Sequence, residues 1–389
     1  MTGNTRASRT RLRLLSKALQ ILYVVLCALF LSPVVGAQEA RIITFDAPNS
    51  GTLPYIGTQA TGINSFGTVI GSVTDNNYGT HGFMRTRDGK FTNFDAPGAD
   101  PVVGCTCPSA VNDLGVVAGY YIDANGVSHG FLRSPDGKFT TFDPPGVGGY
   151  GTTPRALNLE GAVVGVYSDS NYSFHAFLRS PDGKFTTWIG PGACTGNGSE
   201  GCFGSGASNI NAFGTIAGGF EDNGGNFVHH SYVRNAEGKL KTFDVPGAGT
   251  GSYQGTGCPG CDLGLNQFGA IAGIYSDTNS VNHGFLRSRD GKFTTFDAPG
   301  AGTGSYQGTG CFSECPVSLN DWGAITGIYI DANFVYHGYL RSPEGRIVTV
   351  DPVGSTYTFP DGINDLGRIT GYYLDANNVF HGFLRIPDW

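Results

Sequence analysis

Charged side chains are scarce in this chain: they make up 14% of its 389 residues, and acidic residues outnumber basic ones by 31 to 24. The formal net charge of −7 becomes −12 once residues 1–37 are set aside, because that segment carries five basic side chains and no acidic ones. A strongly negative surface repels polyanions. We therefore expect neither nucleic acid nor an anionic membrane as a partner.

Long hydrophobic runs and apolar residues at helical spacing are both missing after residue 37. The chain is instead rich in Gly (62), Phe (26) and Tyr (18), a composition typical of many short strands joined by tight turns. No stretch carries a recognisable catalytic or cofactor signature. The sequence therefore predicts an all-β mature protein that does not insert into the membrane, is a monomer, and has no catalytic residue, metal or cofactor.

The first 37 residues have the three parts of a secretory signal peptide. A basic segment precedes the apolar run Ala18–Leu31, and Val35-Gly36-Ala37 forms the cleavage site. An uncleaved anchor is the alternative, but the run is shorter than the ~20 residues that a membrane span needs. We predict an exported protein, extracellular or periplasmic, in which residues 38–389 form one domain. The basic residues are Arg6, Arg9, Arg11, Arg13 and Lys17.

A repeat recurs seven times after the signal peptide. Each repeat has an Asn, a Gly three residues later, an apolar strand, an Asp/Asn turn, an HGFLR-like strand, a PDGK-like turn and a strand ending in Phe-Asp. Asn, Asp and Gly favour turns because they tolerate positive φ or form Asx turns. Three hairpins and four strands follow for each repeat. The seven Asn are Asn64, Asn112, Asn158, Asn211, Asn266, Asn320 and Asn364.

A four-stranded meander of this period is typical of a β-propeller blade, although sandwiches and solenoids also use meanders. The seventh repeat stops at Trp389, one strand short, while Arg41–Pro48 (RIITFDAP) matches the fourth-strand pattern of Phe293–Pro299 (FTTFDAP). The N-terminal strand can therefore complete the last blade. We predict a seven-bladed β-propeller with four antiparallel strands in each blade and a ring closed by Arg41–Pro48.

Spacing separates the fixed parts of a repeat from the variable ones. The same 31 residues separate Asn64 from Asp95 and Asn320 from Asp351, and 33 separate Asn211 from Asp244. The connection to the next Asn varies from 13 to 23 residues. In a propeller these connections lie on the same face as the turn between the second and third strands. We expect binding on this loop-decorated face, with unconstrained loop drift as the alternative.

An Asp and a His also recur in every repeat. We interpret the pairs as hairpin construction, in which Asp75 lies opposite His81 and Gly71 opposite Arg85, so that the Arg lies flat across the glycine. A metal or acid-base site is disfavoured because its ligands have to converge. Calcium on the D-x-N turns is the remaining option, on a weak ligand set. The pairs are Asp75/His81, Asp123/His129, Asp169/His175, Asp222/His230, Asp277/His283, Asp331/His337 and Asp375/His381.

Eight cysteines follow the signal peptide, and all of them lie in the variable connections as four close pairs. In an exported protein this pattern predicts local disulfides that brace Gly-rich loops. A zinc site built from the last four is the alternative, and the shortest pair is the least certain to close. The cysteines are Cys105, Cys107, Cys194, Cys202, Cys258, Cys261, Cys311 and Cys315.

Two of these loops are near copies, GAGTGSYQGTGC, and place Tyr253, Gln254, Tyr306 and Gln307 beside the cysteines. An aromatic ring next to an amide suits stacking on a sugar ring and hydrogen bonding to its hydroxyls. The alternative is a loop that packs its own Tyr against the fold.

Most residues just before the repeated Asn are small or apolar. Arg155, Asp262 and Asp361 break this pattern near the predicted mouth of the central channel, and they are candidates for a polar binding site. Isolated charges at a rim are commonly only solvated, which is the competing interpretation.

The repeat resembles the bacterial extracellular repeats named for a His-Ala-Phe motif. The pattern IND-x-G-x-x-x-G…HGFLR carries the resemblance over the whole mature chain. The resemblance implies an exported repeat protein and supplies no catalytic residues. The motif stands at His175-Ala176-Phe177, and as His-Gly-Phe from His81, His129, His283 and His381.

Two functions remain after these steps. The first is a non-enzymatic binding module that presents its loop-decorated face to a glycan or an extracellular protein. The second is a secreted carbohydrate-active enzyme, a hydrolase or lyase, using carboxylates such as Asp262 and Asp361. Such enzymes need two carboxylates at set distances across a cleft. We favour binding, because the turns account for most of the acidic residues.

Overall fold

The computed structural model describes residues 40–102, 104–195, 203–257, 263–311 and 315–387. Within these ranges the chain forms strands and turns and contains no helix, hence none that is long and apolar enough to cross a membrane. Ile42–Ile386 form one compact unit. The other unit, Met1–Arg41 with Pro387–Trp389, lies almost wholly outside the described residues, as does the predicted signal peptide.

Successive strands form antiparallel meanders that follow the sequence repeats. One strand precedes the repeats, β1 (Arg41–Phe45). Repeat one holds β2 (Thr58–Ile63), β3 (Val69–Thr74), β4 (Thr80–Arg85) and β5 (Phe91–Phe94). Repeat two holds β6 (Thr106–Val111), β7 (Val117–Ile122), β8 (Ser128–Arg133) and β9 (Phe139–Phe142). Repeat three holds β10 (Val147–Leu157), β11 (Val163–Asp169), β12 (Phe174–Arg179) and β13 (Phe185–Trp188).

The remaining repeats keep this order, with the first strand of repeats five and six split into two pieces that both pair with the second strand. Repeat four holds β14 (Ser205–Ile210), β15 (Ile216–Glu221), β16 (His229–Arg234) and β17 (Leu240–Phe243). Repeat five holds β18 (Gly255–Thr256), β19 (Gly264–Leu265), β20 (Ile271–Ser276), β21 (Asn282–Arg287) and β22 (Phe293–Phe296). Repeat six holds β23 (Gly308–Thr309), β24 (Val317–Leu319), β25 (Ile325–Ile330), β26 (Tyr336–Arg341) and β27 (Ile347–Thr349). Repeat seven holds β28 (Tyr357–Ile363), β29 (Ile369–Leu374) and β30 (Phe380–Ile386).

The second hairpin of each repeat has a different register from the one predicted. Gly71 lies opposite Phe83, and Arg85 lies opposite Val69. The prediction was wrong because Asp75 belongs to the turn and not to the ladder. Its Oδ1 accepts hydrogen bonds from the backbone N–H groups of Asn77 (2.8 Å) and Gly79 (3.0 Å), and this Asx turn ends the strands before His81 can pair with it.

An aromatic residue of the third strand forms the buried centre of each repeat. A Cβ at Gly71 would lie 2.8 Å from the ring of Phe83, so the glycine lets the ring cross the second strand. The side chains at this position are at most 1% exposed, which makes them the largest single contributors to the core. They are Phe83, Phe131, Phe177, Tyr232, Phe285, Tyr339 and Phe383.

Six of the repeat arginines lie over aromatic rings and not flat across a glycine, which corrects the second half of the hairpin prediction. The guanidinium of Arg133 lies 4.7 Å from the ring centre of Phe94, which belongs to the fourth strand of the preceding repeat. Each such cation–π contact contributes about 0.5–2 kcal/mol and joins two repeats. The others are Arg85 over Phe45, Arg179 over Phe142, Arg234 over Trp188, Arg287 over Phe243 and Arg341 over Phe296.

The seven repeated asparagines also connect the repeats. The Nδ2 group of Asn64 donates to the backbone oxygen of Asn112 (3.1 Å), and each of the next five asparagines donates to its successor. Asn364 donates to the backbone oxygen of Asn64 at 3.0 Å. At the same junction β1 pairs with β30, in a sheet of order β1-β30-β29-β28.

Candidate functional site

A cavity of about 390 Å³ brings two of the predicted site residues together. Arg155 of repeat three and Asp361 of repeat seven both line it, with residues of repeats one and two between them. A second cavity of about 300 Å³ is also lined by these two residues. We call the first the Arg155–Asp361 cavity. Its lining is Gln59, Thr61, Ser72, Cys107, Pro108, Ser109, Tyr120, Thr153, Pro154, Arg155, Asp361 and Tyr372.

Irregularities in the first strands direct these side chains. The ladder of β10 and β11 shifts between Pro154 and Ala156, and that of β28 and β29 shifts between Pro360 and Gly362. Arg155 and Asp361 are therefore the extra residues of two β-bulges, which re-aim a side chain away from the regular alternation. Corresponding shifts at Thr61, Ser109 and Ser208 contribute to the smaller cavity.

The cavity combines several kinds of recognition group. Arg155 offers the planar donor fork of a guanidinium, and Asp361 offers carboxylate acceptors. Tyr372 from β29 stacks on Phe359, with ring centres 4.9 Å apart and an interplanar angle of 19°. Gln59 and the hydroxyl groups of Ser72 and Ser109 add polar atoms. A mixed polar and aromatic concave surface is typical of a site for a small polar ligand.

One carboxylate lines this site among the described residues. Among the described residues that line the two cavities, Asp361 is the only acidic one. Asp262, the other predicted acidic candidate, lies outside the described residues. The described residues that line these two cavities therefore offer no two-carboxylate arrangement.

The side chains of the two loop glutamines make hydrogen bonds within the protein. Gln254 is 9% exposed; its Oε1 accepts from Gly251 N (2.8 Å) and its Nε2 donates to Ser280 Oγ (3.0 Å). Gln307 repeats the arrangement, with Gly304 N as donor and Ala332 O as acceptor. The structure thus gives both amides structural partners, and neither glutamine lines the Arg155–Asp361 cavity.

The two loop tyrosines lie above the turns of the preceding repeats. The backbone N–H of Tyr253 donates to Asn226 O, and that of Tyr306 donates to Ser280 O. The ring of Tyr253 is partly buried and stacks on Phe227 at 5.8 Å, whereas Tyr306 is 51% exposed. Neither is among the residues that line the Arg155–Asp361 cavity, so the predicted site residues do not form one cluster.

Local disulfides are present where the spacing predicts them. Cys105 is bonded to Cys107, and Cys311 to Cys315, while Cys194 is also disulfide-bonded. Cys202, Cys258 and Cys261 lie outside the described residues. Cys107 borders the Arg155–Asp361 cavity, so the first bond fixes part of its wall.

In six repeats the histidine bonds to an acidic residue that the sequence analysis did not pair with it, whereas His175 bonds to its predicted partner Asp169 at 3.0 Å. Nδ1 of His129 lies 2.7 Å from Asp143, which ends the fourth strand, and Nε2 lies 3.6 Å from the turn residue Asp123. The hydrogen bond to the fourth strand recurs in five other repeats. The pairs are His81–Asp95, His230–Asp244, His283–Asp297, His337–Asp351 and His381–Asp46.

Two of these pairs raise the proton affinity of their histidine. The hydrogen bond that Nδ1 of His230 donates to Asp244 raises the pKa of His230, and the one that His283 donates to Asp297 raises the pKa of His283. In the described part of the chain no group of three or more His, Cys, Asp and Glu side chains is arranged to hold a metal ion. Calcium on the D-x-N turns stays a prediction.

Comparison with known proteins identifies the fold. No family model and no curated protein matches the chain. The β-propeller domain of the trilobed protease from Pyrococcus furiosus is similar over 84% of this chain and 95% of its own (9% identity, TM-score 0.53). A prolyl endopeptidase is similar over 82% of this chain and 46% of its own (10% identity, TM-score 0.53). TolB from Acinetobacter baumannii is similar over 82% of this chain, which spans 64% of TolB (12% identity, TM-score 0.45). The fold of this chain is that of a β-propeller.

Proposed function

We propose that the mature chain is an exported seven-bladed β-propeller that binds a glycan in the Arg155–Asp361 cavity and performs no catalysis. The observation that carries the proposal is the pair of bulges that aims Arg155 and Asp361 into one cavity.

The count of seven blades and the closure of the ring rest on the junction between the ends of the chain. β1 supplies a fourth strand beside β30, and Asp46 supplies the carboxylate for His381 that Asp351 supplies for His337. The bond from Asn364 to Asn64 adds a side-chain link at the same junction. Closure of this kind pairs both terminal strands and leaves only the short outer strands as edges, which favours a monomeric ring.

A sugar fits the chemistry of the cavity better than an apolar ligand does. The hydroxyl groups of a sugar can donate hydrogen bonds to Asp361 and Gln59 and accept them from Arg155. Tyr120 and Tyr372 offer aromatic surface for the sugar ring. A volume of about 390 Å³ lies within the range of small-molecule sites. The ligand class is therefore a glycan with an accessible terminal sugar, and an anionic sugar would add an ion pair with Arg155.

The enzyme alternative has less support. Glycoside hydrolysis ordinarily needs an acid and a second carboxylate on opposite sides of the bond that breaks, and the described lining residues offer Asp361 alone. Binding needs no such pair.

Export is a separate part of the proposal. It is supported by the predicted signal peptide and by the two local disulfides, which persist in oxidising compartments. The resemblance to the His-Ala-Phe repeats agrees with it, and we propose membership of that group on the repeat pattern alone.

A glycan array on residues 38–389 tests the binding proposal. We expect discrete hits that disappear in Arg155→Ala and weaken in Asp361→Asn. Tyr306→Ala is the matched control, because it removes an exposed aromatic ring away from the cavity. A blank array, or hits that survive Arg155→Ala and vanish in Tyr306→Ala, would overturn the assignment of the site.

A further inference from the structure

Large apolar side chains are exposed at the seven turns that begin with the repeated Asn. They lie one or two residues after the Asn and are between 46% and 73% exposed. Exposed apolar side chains that recur on one set of turns are candidates for a contact surface. We call the set the apolar rim. It consists of Phe66, Leu114, Leu159, Phe213, Phe268, Trp322 and Leu366.

The turn geometry holds these side chains outward. In repeat six Asn320 accepts the N–H of Gly323 at its backbone oxygen and the N–H of Ala324 at Oδ1. Both ends of the turn are therefore fixed, and Trp322 stands at the tip, 72% exposed. The closed turn thus fixes the backbone at the position where Trp322 is exposed.

The seven turns surround one cavity of about 500 Å³, which we call the Asn-turn cavity. Residues of all seven repeats line it, among them the rim residues Leu159 and Phe213. None of its lining residues belongs to the Arg155–Asp361 cavity. The cavity of about 300 Å³ shares lining residues with both. The Asn-turn cavity nevertheless has its own set of charged residues, and binding there does not require the proposed glycan function.

Three carboxylates line the Asn-turn cavity, those of Asp113, Asp321 and Asp365. One oxygen of each accepts a backbone N–H from the neighbouring repeat, at 2.8 to 2.9 Å. The second oxygen of each has no hydrogen-bond partner within the described ranges. No Lys or Arg is among the lining residues, so the cavity presents negative charge that a cation would satisfy.

The surroundings of Asp321 disfavour the charged form of its carboxyl group. Burial and the charge of Asp365 raise the pKa of the Asp321 carboxyl group. A cationic group placed between Asp321 and Asp365 would relieve their repulsion, because opposite charges at close range favour the ionised form.

We propose that the apolar rim and the Asn-turn cavity together dock a segment of a protein partner, whose Lys or Arg side chain enters the cavity while flanking apolar residues cover the rim. Charge complementarity selects this occupant. The three carboxylates oppose an anionic lipid surface, and they would face each other if a second copy bound through the same surface. The rim carries no hydroxyl group and includes three leucines, which suit apolar side chains better than sugar rings.

Selection from a random-peptide library displayed on phage, with residues 38–389 as bait, tests the docking surface. We expect selected peptides to share a Lys or Arg flanked by apolar residues. Affinity of these synthetic peptides should fall by about tenfold or more in Phe213→Ser/Trp322→Ser, since aromatic anchors carry most of the binding energy. Asp321→Asn should weaken binding and reduce its salt dependence.

Phe334→Ser is the matched control, because Phe334 is an exposed aromatic residue (54%) at the turn between β25 and β26, and it should bind the peptides as the parent protein does. Thermal unfolding of each variant checks that the fold is kept. The proposal is overturned if no such motif is enriched, if the peptides bind Phe213→Ser/Trp322→Ser unchanged, or if the protein instead binds phosphatidylglycerol vesicles or forms a dimer that this variant dissociates.

Discussion

Nε2 of His175 lies 3.0 Å from Oδ2 of Asp169, the closest approach of a repeat histidine to its turn aspartate among the pairs described. In the other repeats this distance is 3.6 to 4.0 Å, because Nδ1 is bonded to the Asp that ends the fourth strand. Repeat three has Ile189 at that position. The missing carboxylate therefore accounts for the different partner of His175.

Restoring the carboxylate tests this explanation. In Ile189→Asp we expect Nδ1 of His175 to bond to the new side chain and Nε2 to withdraw from Asp169, as at His129 and Asp143. The 15N shifts of the His175 ring, read by NMR, report which nitrogen is bonded. Ile189→Asn serves as the neutral comparison. Unchanged ring shifts in Ile189→Asp would show that another contact fixes His175.

The histidine pairs predict a pH-dependent stability. The hydrogen bond that His283 donates to Asp297 raises the pKa of His283, so Asp297→Asn should lower this pKa. A group whose pKa is raised by folding stabilises the protein fully below the unfolded pKa of about 6.5, and this stabilisation is lost as pH rises through the folded pKa. The parent should therefore exceed the variant in unfolding free energy near pH 5.5, and the gap should close above about pH 8.

The difference in unfolding free energy between the parent and Asp297→Asn should be below about 1 kcal/mol, because the Asp297 side chain is 58% exposed. NMR titration gives the His283 pKa directly, and His230 is the internal control because its partner Asp244 is untouched. A gap that widens toward alkaline pH contradicts the assignment.

The hydrogen bonds between the repeated asparagines require a side-chain amide at these positions. Asn266 donates through Nδ2 to Asn320 O and accepts the N–H of Ala270 at Oδ1. Asn266→Asp keeps the acceptor but removes the donor, and it should destabilise the fold by about 1–3 kcal/mol. The same change at the exposed turn residue Asn223 should alter stability by less than about 0.5 kcal/mol. Equal midpoints of urea unfolding for both variants would argue against the links.

The glycine of the His-Gly-Phe motif is predicted to be a packing requirement. A Cβ at Gly284 would lie 2.4 Å from the ring of Phe296. Gly284→Ala should therefore cost about 1–3 kcal/mol of unfolding free energy. Repeat three pairs Ala176 with Trp188 at this place, so Gly284→Ala/Phe296→Trp should recover part of the loss. A Gly284→Ala variant as stable as the parent would contradict the packing account.

Local turn chemistry explains why the sequence predicts the strands well. The D-x-N and N-x-x-G motifs form turn hydrogen bonds within five residues of the chain, and hairpin turns lie at these motifs, as at Asp75 and Asn64. The all-β propeller fold follows from their repetition. The register of the second hairpin was predicted wrongly. The side chain of Asp75 closes the turn, so Asp75 lies outside the ladder and does not pair with His81.

Contacts between repeats were beyond the reach of the same reasoning. The amide of Asn64 bonds to a residue 48 positions away, and Arg133 lies over a ring of another repeat. Arg155 and Asp361 could be singled out from the sequence because they are charged where most repeats have a small or apolar residue. Both lie three residues before the repeated Asn, which is the position of the β-bulges. The apolar rim was missed because its members looked like ordinary turn residues.

The central claim is that Arg155 contacts the ligand within the Arg155–Asp361 cavity. Isothermal titration of the strongest array glycan into the parent protein and into Arg155→Ala tests it most directly. Loss of a charge-assisted hydrogen bond should weaken Kd by about tenfold to a hundredfold, while Tm stays close to that of the parent. An unchanged Kd in Arg155→Ala would contradict the claim.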